Sequence, residues 1–294
     1  MRRVVLTPHA VERGFTLIEL IVVMVITVIM SVSLVVFFRP AIDGYFLSQT
    51  RDDLMQAADN ALMHMTKDVQ SAVPNSIRTP NNQCFELAPS AGGGRYRAAP
   101  DTVHDATCSG AGCSAWVDTS AATTSFDVLQ HSGSAPQVGD WVVINNQNAN
   151  DVYAGTNRSQ ITAISTPAAN LGVSRFTINS LQVSPGYDGA RYQVVRNNQQ
   201  TAFYSCVGAD GTLDANGNGK GELRRSAGIL NATIPTVCPT NGYVVTKNVL
   251  SCNFVYDPNQ GATQQSGFVW MQIEVARAGE KATLSMGAHV SNVP

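Results

Sequence analysis

The sequence predicts an α+β fold in which a long N-terminal helix packs on an antiparallel β-sheet head. Three observations predict it. Phe15–Phe38, FTLIELIVVMVITVIMSVSLVVFF, is apolar except for Glu19 and four hydroxyl residues. Leu54, Ala58, Ala61, Leu62, Met65, Val69 and Ala72 recur at spacings of three and four, the period of one helix face. From residue 125 onward, short β-type segments alternate with Gly, Asn and Pro.

The apolar run is 24 residues long. As a helix it extends about 36 Å, enough to cross a hydrocarbon core of about 30 Å. Arg2, Arg3 and Arg13 precede it, so charge bias leaves the leader in the cytoplasm and exports everything after Arg39. A secretory signal peptide carries a small-residue cleavage site after a shorter apolar core. Here the small residue, Gly14 next to Phe15, comes before the run. Glu19 places a carboxylate little more than one turn inside the span, at a cost of about 2.5 kcal/mol or more, and such a group is a functional hypothesis by default. A plain anchor has no use for it.

Arg39-Pro40 ends the apolar run, and Pro40 is expected to kink or break the helix. Helical spacing resumes after Gly44 and fades near Pro74. Asp52, Asp53, Asp59, His64, Lys67 and Asp68 fall mostly off the apolar stripe; His64 reads as solvated and Met65 as core. Residues 88–115, rich in Gly, Ala, Ser and Pro and including Gly92-Gly93-Gly94, read as a long loop stapled by a disulfide. Strand-like segments follow at Ser125–Gln130, Trp141–Asn145, Gln160–Ile164, Arg175–Asn179, Tyr192–Arg196, Thr201–Cys206, Val249–Tyr256, Phe268–Ala276 and Ala282–Val290. Within Phe268–Ala276, Val269, Met271, Ile273 and Val275 alternate and belong to a buried face. No strong boundary divides the head, although 88–160 has the look of an insertion or separate sub-sheet.

Charged residues make up only 14% of the chain, and the formal charge of −2 lacks the basic excess of a general nucleic-acid binder. Lys220, Arg224 and Arg225 form the nearest basic cluster, too small to support such a claim. Cys84, Cys108, Cys113, Cys206, Cys238 and Cys252 all follow the apolar run, and an even count on the exported side fits disulfides in an oxidising compartment. Zinc spacing is lacking. Six cysteines admit fifteen connectivities and the sequence does not choose among them; the expected set is Cys108–Cys113, Cys206–Cys238 and Cys84–Cys252. Asp214, Asn216 and Asn218 resemble the first half of an EF-hand-type calcium loop, with Gly219 at the turn. Arg225 stands where the bidentate acid belongs, and the alternative is a Gly/Asn hairpin turn. No GxSxG, HExxH or P-loop pattern occurs and the five histidines are scattered, so no enzyme and no catalytic residue is expected.

Arg13-Gly14-Phe15-Thr16-Leu17-Ile18-Glu19-Leu20 resembles the class III leader of type IV pilins and type II secretion pseudopilins. The match consists of a glycine before phenylalanine, a glutamate five residues into the mature chain, and apolar sequence beyond. The resemblance implies cleavage between Gly14 and Phe15 by a membrane prepilin peptidase on the cytoplasmic side, with N-methylation of the new Phe15 amine. It implies a single-pass inner-membrane protein with a periplasmic head, which then enters an extracellular filament. The implied partners are other major and minor pilins and the inner-membrane assembly platform; no nucleic acid is expected. In a filament, a carboxylate from Glu19 meeting the Phe15 amine of a neighbour neutralises both charges and sets axial register, the best-supported use of a buried pair. The alternative is that Glu19 only pairs within its own subunit or snorkels to the interface. Thr16 and Thr27 are given no role.

RPAIDGYF (Arg39–Phe46), DLMQAADNALMHMTKDVQSAVPNSIR (Asp53–Arg78) and HVSNVP (His289–Pro294) are similar to the minor pilins of the mannose-sensitive haemagglutinin (MSHA) system. The implied organisation is a leader over 1–14, a transmembrane and filament-core helix over 15–38, the amphipathic half of the helix over 39–78, and a disulfide-containing β-rich head over 79–294. The fold is expected to resemble the larger J-type minor pseudopilins, and a major subunit is disfavoured by size. The alternatives to an assembly role are a tip-exposed adhesin or a minor pilin that binds DNA or another ligand, with Trp116 or Trp141 able to stack on a sugar, or a type II secretion J-type pseudopilin.

Overall fold

The computed structural model describes residues 14–168, 170–185, 189–260 and 266–291. Arg2, Arg3 and Arg13 of the leader and the last three residues of the HVSNVP segment lie outside them. The chain divides into two compact units, Met1–Thr50 and Arg51–Pro294.

Helix α1 runs from Leu17 to Gln70, 54 residues, and its most apolar 18-residue window has a mean hydropathy of 3.0. By length and composition it is able to cross a membrane. It passes through Pro40 without ending, so of the kink or break expected there the break does not occur. Proline forfeits one intrahelical bond, the one its own nitrogen would have donated to Val36, and that single loss does not undo the turns on either side. Every residue from 14 to 49 is exposed.

In the second unit, the predicted stripe is buried in full: Leu54, Ala58, Ala61, Leu62, Met65, Val69 and Ala72 share one core with strand residues, while His64 is exposed. The strands are β1 (Arg78–Asn81), β2 (Cys84–Leu87), β3 (Gly92–Tyr96), β4 (Thr123–Gly133), β5 (Trp141–Ile144), β6 (Arg158–Ser165), β7 (Ser174–Leu181), β8 (Arg191–Val195), β9 (Thr201–Val207), β10 (Gly221–Gly228), β11 (Tyr243–Gln260), β12 (Ser266–Arg277) and β13 (Glu280–Ser291), with a short helix α2 (Asp151–Ala154) before β6. They form two antiparallel systems. One is a seven-stranded sheet in the order β1-β2-β9-β10-β11-β12-β13, on which the α1 stripe packs. On β12, Val269, Met271, Ile273 and Val275 supply its inner face, as their alternation predicts.

The other system is a closed barrel, β3-β4-β7-β6-β5-β8, inserted between β2 and β9. It has its own core, in which Phe126, Phe176 and Tyr192 meet edge to face. The insertion thus reaches residue 195, beyond the 88–160 region marked out by the sequence. The Gly92-Gly93-Gly94 run, expected in a loop, is strand β3. Its neighbours explain the glycines: a Cβ on these residues would fall against the carbonyl oxygens of Ser132, Tyr192 and Gln130 on the flanking strands. Glycine in a strand here marks close backbone approach.

Barrel and sheet meet around Arg78. Its Nε donates to Glu86 Oε2 at 2.7 Å and its Nη2 to the Asn231 carbonyl at 2.9 Å, while its guanidinium lies 3.5 Å from the centroid of the Tyr153 ring. Burial, opposed by Arg78, pushes the Glu86 carboxyl above its ordinary value. The Tyr153 hydroxyl donates to the Ser76 carbonyl at 2.7 Å and Asn146 Nδ2 to that of Pro74 at 2.6 Å, so the segment that follows α1 is held by the barrel. Within the same unit, Asp68 of α1 accepts from the Tyr204 hydroxyl and from Arg225 Nε, both at 2.8 Å.

All six cysteines are paired, but two of the three expected pairs are corrected. Cys108–Cys113 forms as expected, whereas the others are Cys84–Cys238 and Cys206–Cys252. The reason lies in the length of β11. It pairs with β10 only as far as Val249 and then continues to the β1–β2 turn, where the Phe254 N–H donates to the Asn82 carbonyl at 2.8 Å. That path carries Cys252 to β9, where Cys206 lies, and leaves Cys238 in the β10–β11 loop for Cys84.

Leu62→Ala is expected to cost about 2–5 kcal/mol in denaturant unfolding of the full chain in micelles, against no more than about 0.5 kcal/mol for His64→Ala; equal effects would contradict the packing. Non-reducing peptide mapping is expected to yield Cys84–Cys238 and Cys206–Cys252 peptides, and a Cys206–Cys238 peptide would contradict the path of β11.

Candidate functional site

The residues that precede and open α1 form a small, self-consistent arrangement. Thr16 is the N-cap and Glu19 the third helical residue. The Glu19 N–H donates to Thr16 Oγ1 at 3.3 Å, and the Thr16 N–H donates back to Glu19 Oε2 at 3.3 Å. The Thr16 hydroxyl also lies 3.3 Å from Oε2. Two of the otherwise unpaired donors of the helix start are satisfied reciprocally, the arrangement known as a capping box. A carboxylate at this end is also favoured by the helix dipole. Both contacts of the Glu19 carboxylate, with the Thr16 N–H and hydroxyl, fall on Oε2; Oε1 has no hydrogen-bond partner among the described residues. Glu19 is therefore held over the first turn with one oxygen available.

Thr16, to which the sequence reading gave no role, is the residue it missed. The signal was present, since a threonine followed three residues later by glutamate at the start of an apolar run is a capping-box pattern. Thr27, by contrast, donates to the Val23 carbonyl at 2.7 Å, an ordinary back-bond within the helix. Gly14 and Phe15 are exposed, and a Cβ on Gly14 would meet nothing within 4 Å. No contact within the described chain requires glycine at that position.

The Asp214 loop closes on itself. Asp214 Oδ1 accepts from the N–H groups of Asn216 and Asn218, each at 2.8 Å, and Oδ2 from Asn218 Nδ2 at 3.1 Å. Those bonds, the Asn218 backbone donor first, lower the Asp214 carboxyl below its ordinary value. Asn218 Oδ1 accepts from the Ala278 N–H at 3.0 Å, which docks the loop on the β12–β13 turn. Arg225, at the position where a calcium loop needs its bidentate acid, is in β10 and paired with Asp68. The basic cluster is likewise engaged: Arg224 pairs with Glu222 at 2.7 Å, and Lys220 Nζ donates to Thr212 Oγ1 at 2.8 Å.

The two tryptophans differ. Arg158 lies 4.3 Å from the centroid of the Trp141 ring, and the indole N–H donates to Asn197 Oδ1 at 3.2 Å, so Trp141 is part of the wall of the barrel. Trp116 is half-buried and lines a cavity at one mouth of the barrel.

Residues 10–35 match the prokaryotic N-terminal methylation motif. No curated protein and no solved structure matches the chain. The motif supports a type IV pilin-like or pseudopilin-like protein, and with the apolar helix it fits a protein anchored in a membrane by one span. Such a motif implies processing by a prepilin peptidase and assembly with other pilins.

Thr16→Ala is expected to weaken the first turn of α1 by about 0.5–2 kcal/mol, read as faster hydrogen exchange at the amides of residues 18–20 in micelles. Unchanged exchange would contradict the capping role.

Proposed function

We propose that the chain is a minor pilin of an MSHA-like type IV pilus, similar to MshO, that joins or primes the filament. The observation that carries this reading is the opening of α1: the methylation motif over residues 10–35 leads into an exposed apolar helix with a capped glutamate at its start. Cleavage after Gly14 frees the Phe15 amine, which is then methylated. Among the described residues no contact calls for glycine at position 14, which suits a requirement for a small residue set by the peptidase. The positive leader stays in the cytoplasm and the head is exported to the periplasm.

Assembly transfers the apolar half of α1 from lipid to a bundle of neighbouring helices. Glu19 enters that bundle with the capping box holding its carboxylate beside the N-terminus and with Oε1 without a hydrogen-bond partner among the described residues. The Phe15 ammonium of a neighbour supplies the missing donor. A buried pair of this kind adds little net stability, but an unpaired partner is costly, so the pairing discriminates among axial registers. The size of the second unit fits a low-abundance subunit better than one that must pack at every position of the filament.

Glu19→Ala is expected to leave leader removal intact and to cut the amount of the subunit in sheared filaments about tenfold or more, as an uncompensated charge in a helix bundle implies. Immunoblotting of membrane and sheared fractions measures both. Wild-type recovery of the variant in filaments would contradict the docking role of Glu19.

A further inference from the structure

The closed barrel carries a cavity that neither the helix nor the filament reading uses. Its volume is about 320 Å³, and its lining includes Tyr96, Trp116, Asp118, Asn145, Ser184 and Ala190. These residues lie at one set of strand ends. Tyr96 closes β3, Asn145 follows β5, Ser184 follows β7, Ala190 precedes β8, and Trp116 and Asp118 lead into β4. In an antiparallel barrel of this order those ends form one mouth, a usual place for a ligand site.

Four features make the mouth more than a dent in the surface. Asn145 donates from Nδ2 to the Ser184 carbonyl at 3.0 Å, while its Oδ1 is buried without a hydrogen-bond partner among the described residues. A buried acceptor left in that state is destabilising unless something arrives to donate to it. Asn145 and Ala190 both hold left-handed backbone, with φ of 56° and 48°. For alanine this conformation is costly, and such outliers concentrate at ligand sites. Asp118 accepts from the N–H and hydroxyl of Ser120 at 2.8 and 2.6 Å, which lowers its carboxyl below the ordinary value and keeps it an acceptor at neutral pH. Finally, Trp116 and Tyr96 bring two aromatic rings to the same lining.

Among the described residues the lining holds no Lys, Arg or His, so these offer no counter-charge to a phosphate or carboxylate. It presents acceptors for hydroxyl donors together with aromatic surface whose negative ring face suits weakly positive C–H groups. A ligand that donates several hydroxyl protons and has an apolar C–H face satisfies both halves of this description. We infer that the barrel mouth is a binding site for a neutral sugar ring, with Trp116 as the aromatic platform and Asn145 Oδ1 and Asp118 as hydroxyl acceptors. The inference rests on the barrel alone and stands or falls separately from the role of Glu19.

The test uses the full chain in zwitterionic detergent, which avoids the sugar headgroups of glycoside detergents. Saturation-transfer NMR is recorded with D-glucose, D-galactose and N-acetyl-D-glucosamine as probes, and with choline as a cationic control. At least one of the three sugars is expected to receive saturation through its ring C–H protons, and choline none. Trp116→Ala is expected to weaken that binding about tenfold or more, and so is the less intrusive Asp118→Asn. Trp270→Ala, outside the cavity, is expected to leave it unchanged, with all three disulfides verified in each variant. Binding of choline instead of the sugars, absence of saturation for all three sugars, or equal loss in the Trp270 variant would each overturn the proposal.

Discussion

Leu54, Ala58, Ala61, Leu62, Met65 and Val69 line one side of α1 and are withdrawn from water by the seven-stranded sheet, whereas every residue from 14 to 49 is exposed. One helix is thus written for two surroundings. Each large apolar side chain moved out of water is worth about 1.5–3 kcal/mol, so the later turns of α1 are stable within the head. The earlier turns, which include an 18-residue window with a mean hydropathy of 3.0, are stable only where lipid or other helices replace water. The rest of the molecule serves this division. Asp68, gripped by Tyr204 and Arg225, gives the non-directional apolar contact a fixed rotation and height on the sheet. The capping box gives the exposed half a defined beginning.

The barrel is inserted between two neighbouring strands of the sheet, β2 and β9, so its two connections leave and return side by side. That placement lets a separate core form without disturbing the strand order around it. The joint combines a small apolar cluster, in which Val73, Ala88 and Leu230 meet Val143, Val152 and Val195, with polar contacts. Arg78 spends its donors on Glu86, Asn150 and Asn231 and stacks on Tyr153. A planar guanidinium suits such a multi-sided joint. The Cys108–Cys113 loop is held in a similar way, through Arg175, which donates to the carbonyls of Ala111 and Cys113 and pairs with the buried Asp127 at 2.6 Å.

What the sequence made legible follows from how local each feature is. The α1 stripe, the nine predicted strands and the alternation on β12 all rest on periodicity within one element, and each is present in the fold. The methylation motif is local too. The missed strands are of another kind. β1 and β2 are four residues each and carry too little pattern to register. β3 owes its glycines to backbones on either side, and β10 carries two arginines, one of them turned inward to reach Asp68. Closure of the barrel and the pairing of Cys206 with Cys252 depend on contacts between distant segments, which spacing along the chain cannot encode. At the N-terminus, Glu19 was legible as a cost in search of a purpose. Its partner Thr16 was overlooked because threonine in an apolar run has a commonplace use, the back-bond that Thr27 does make.

The central claim is that α1 begins life behind a leader and is released with Phe15 at its head. N-terminal peptide mass spectrometry of the protein recovered from membranes and from sheared filaments tests this directly. The predicted result is a chain that starts at Phe15 with a methylated amine in both fractions. A chain that retains the leader in the filament, or one cut on the far side of the apolar run after Phe38, would contradict it.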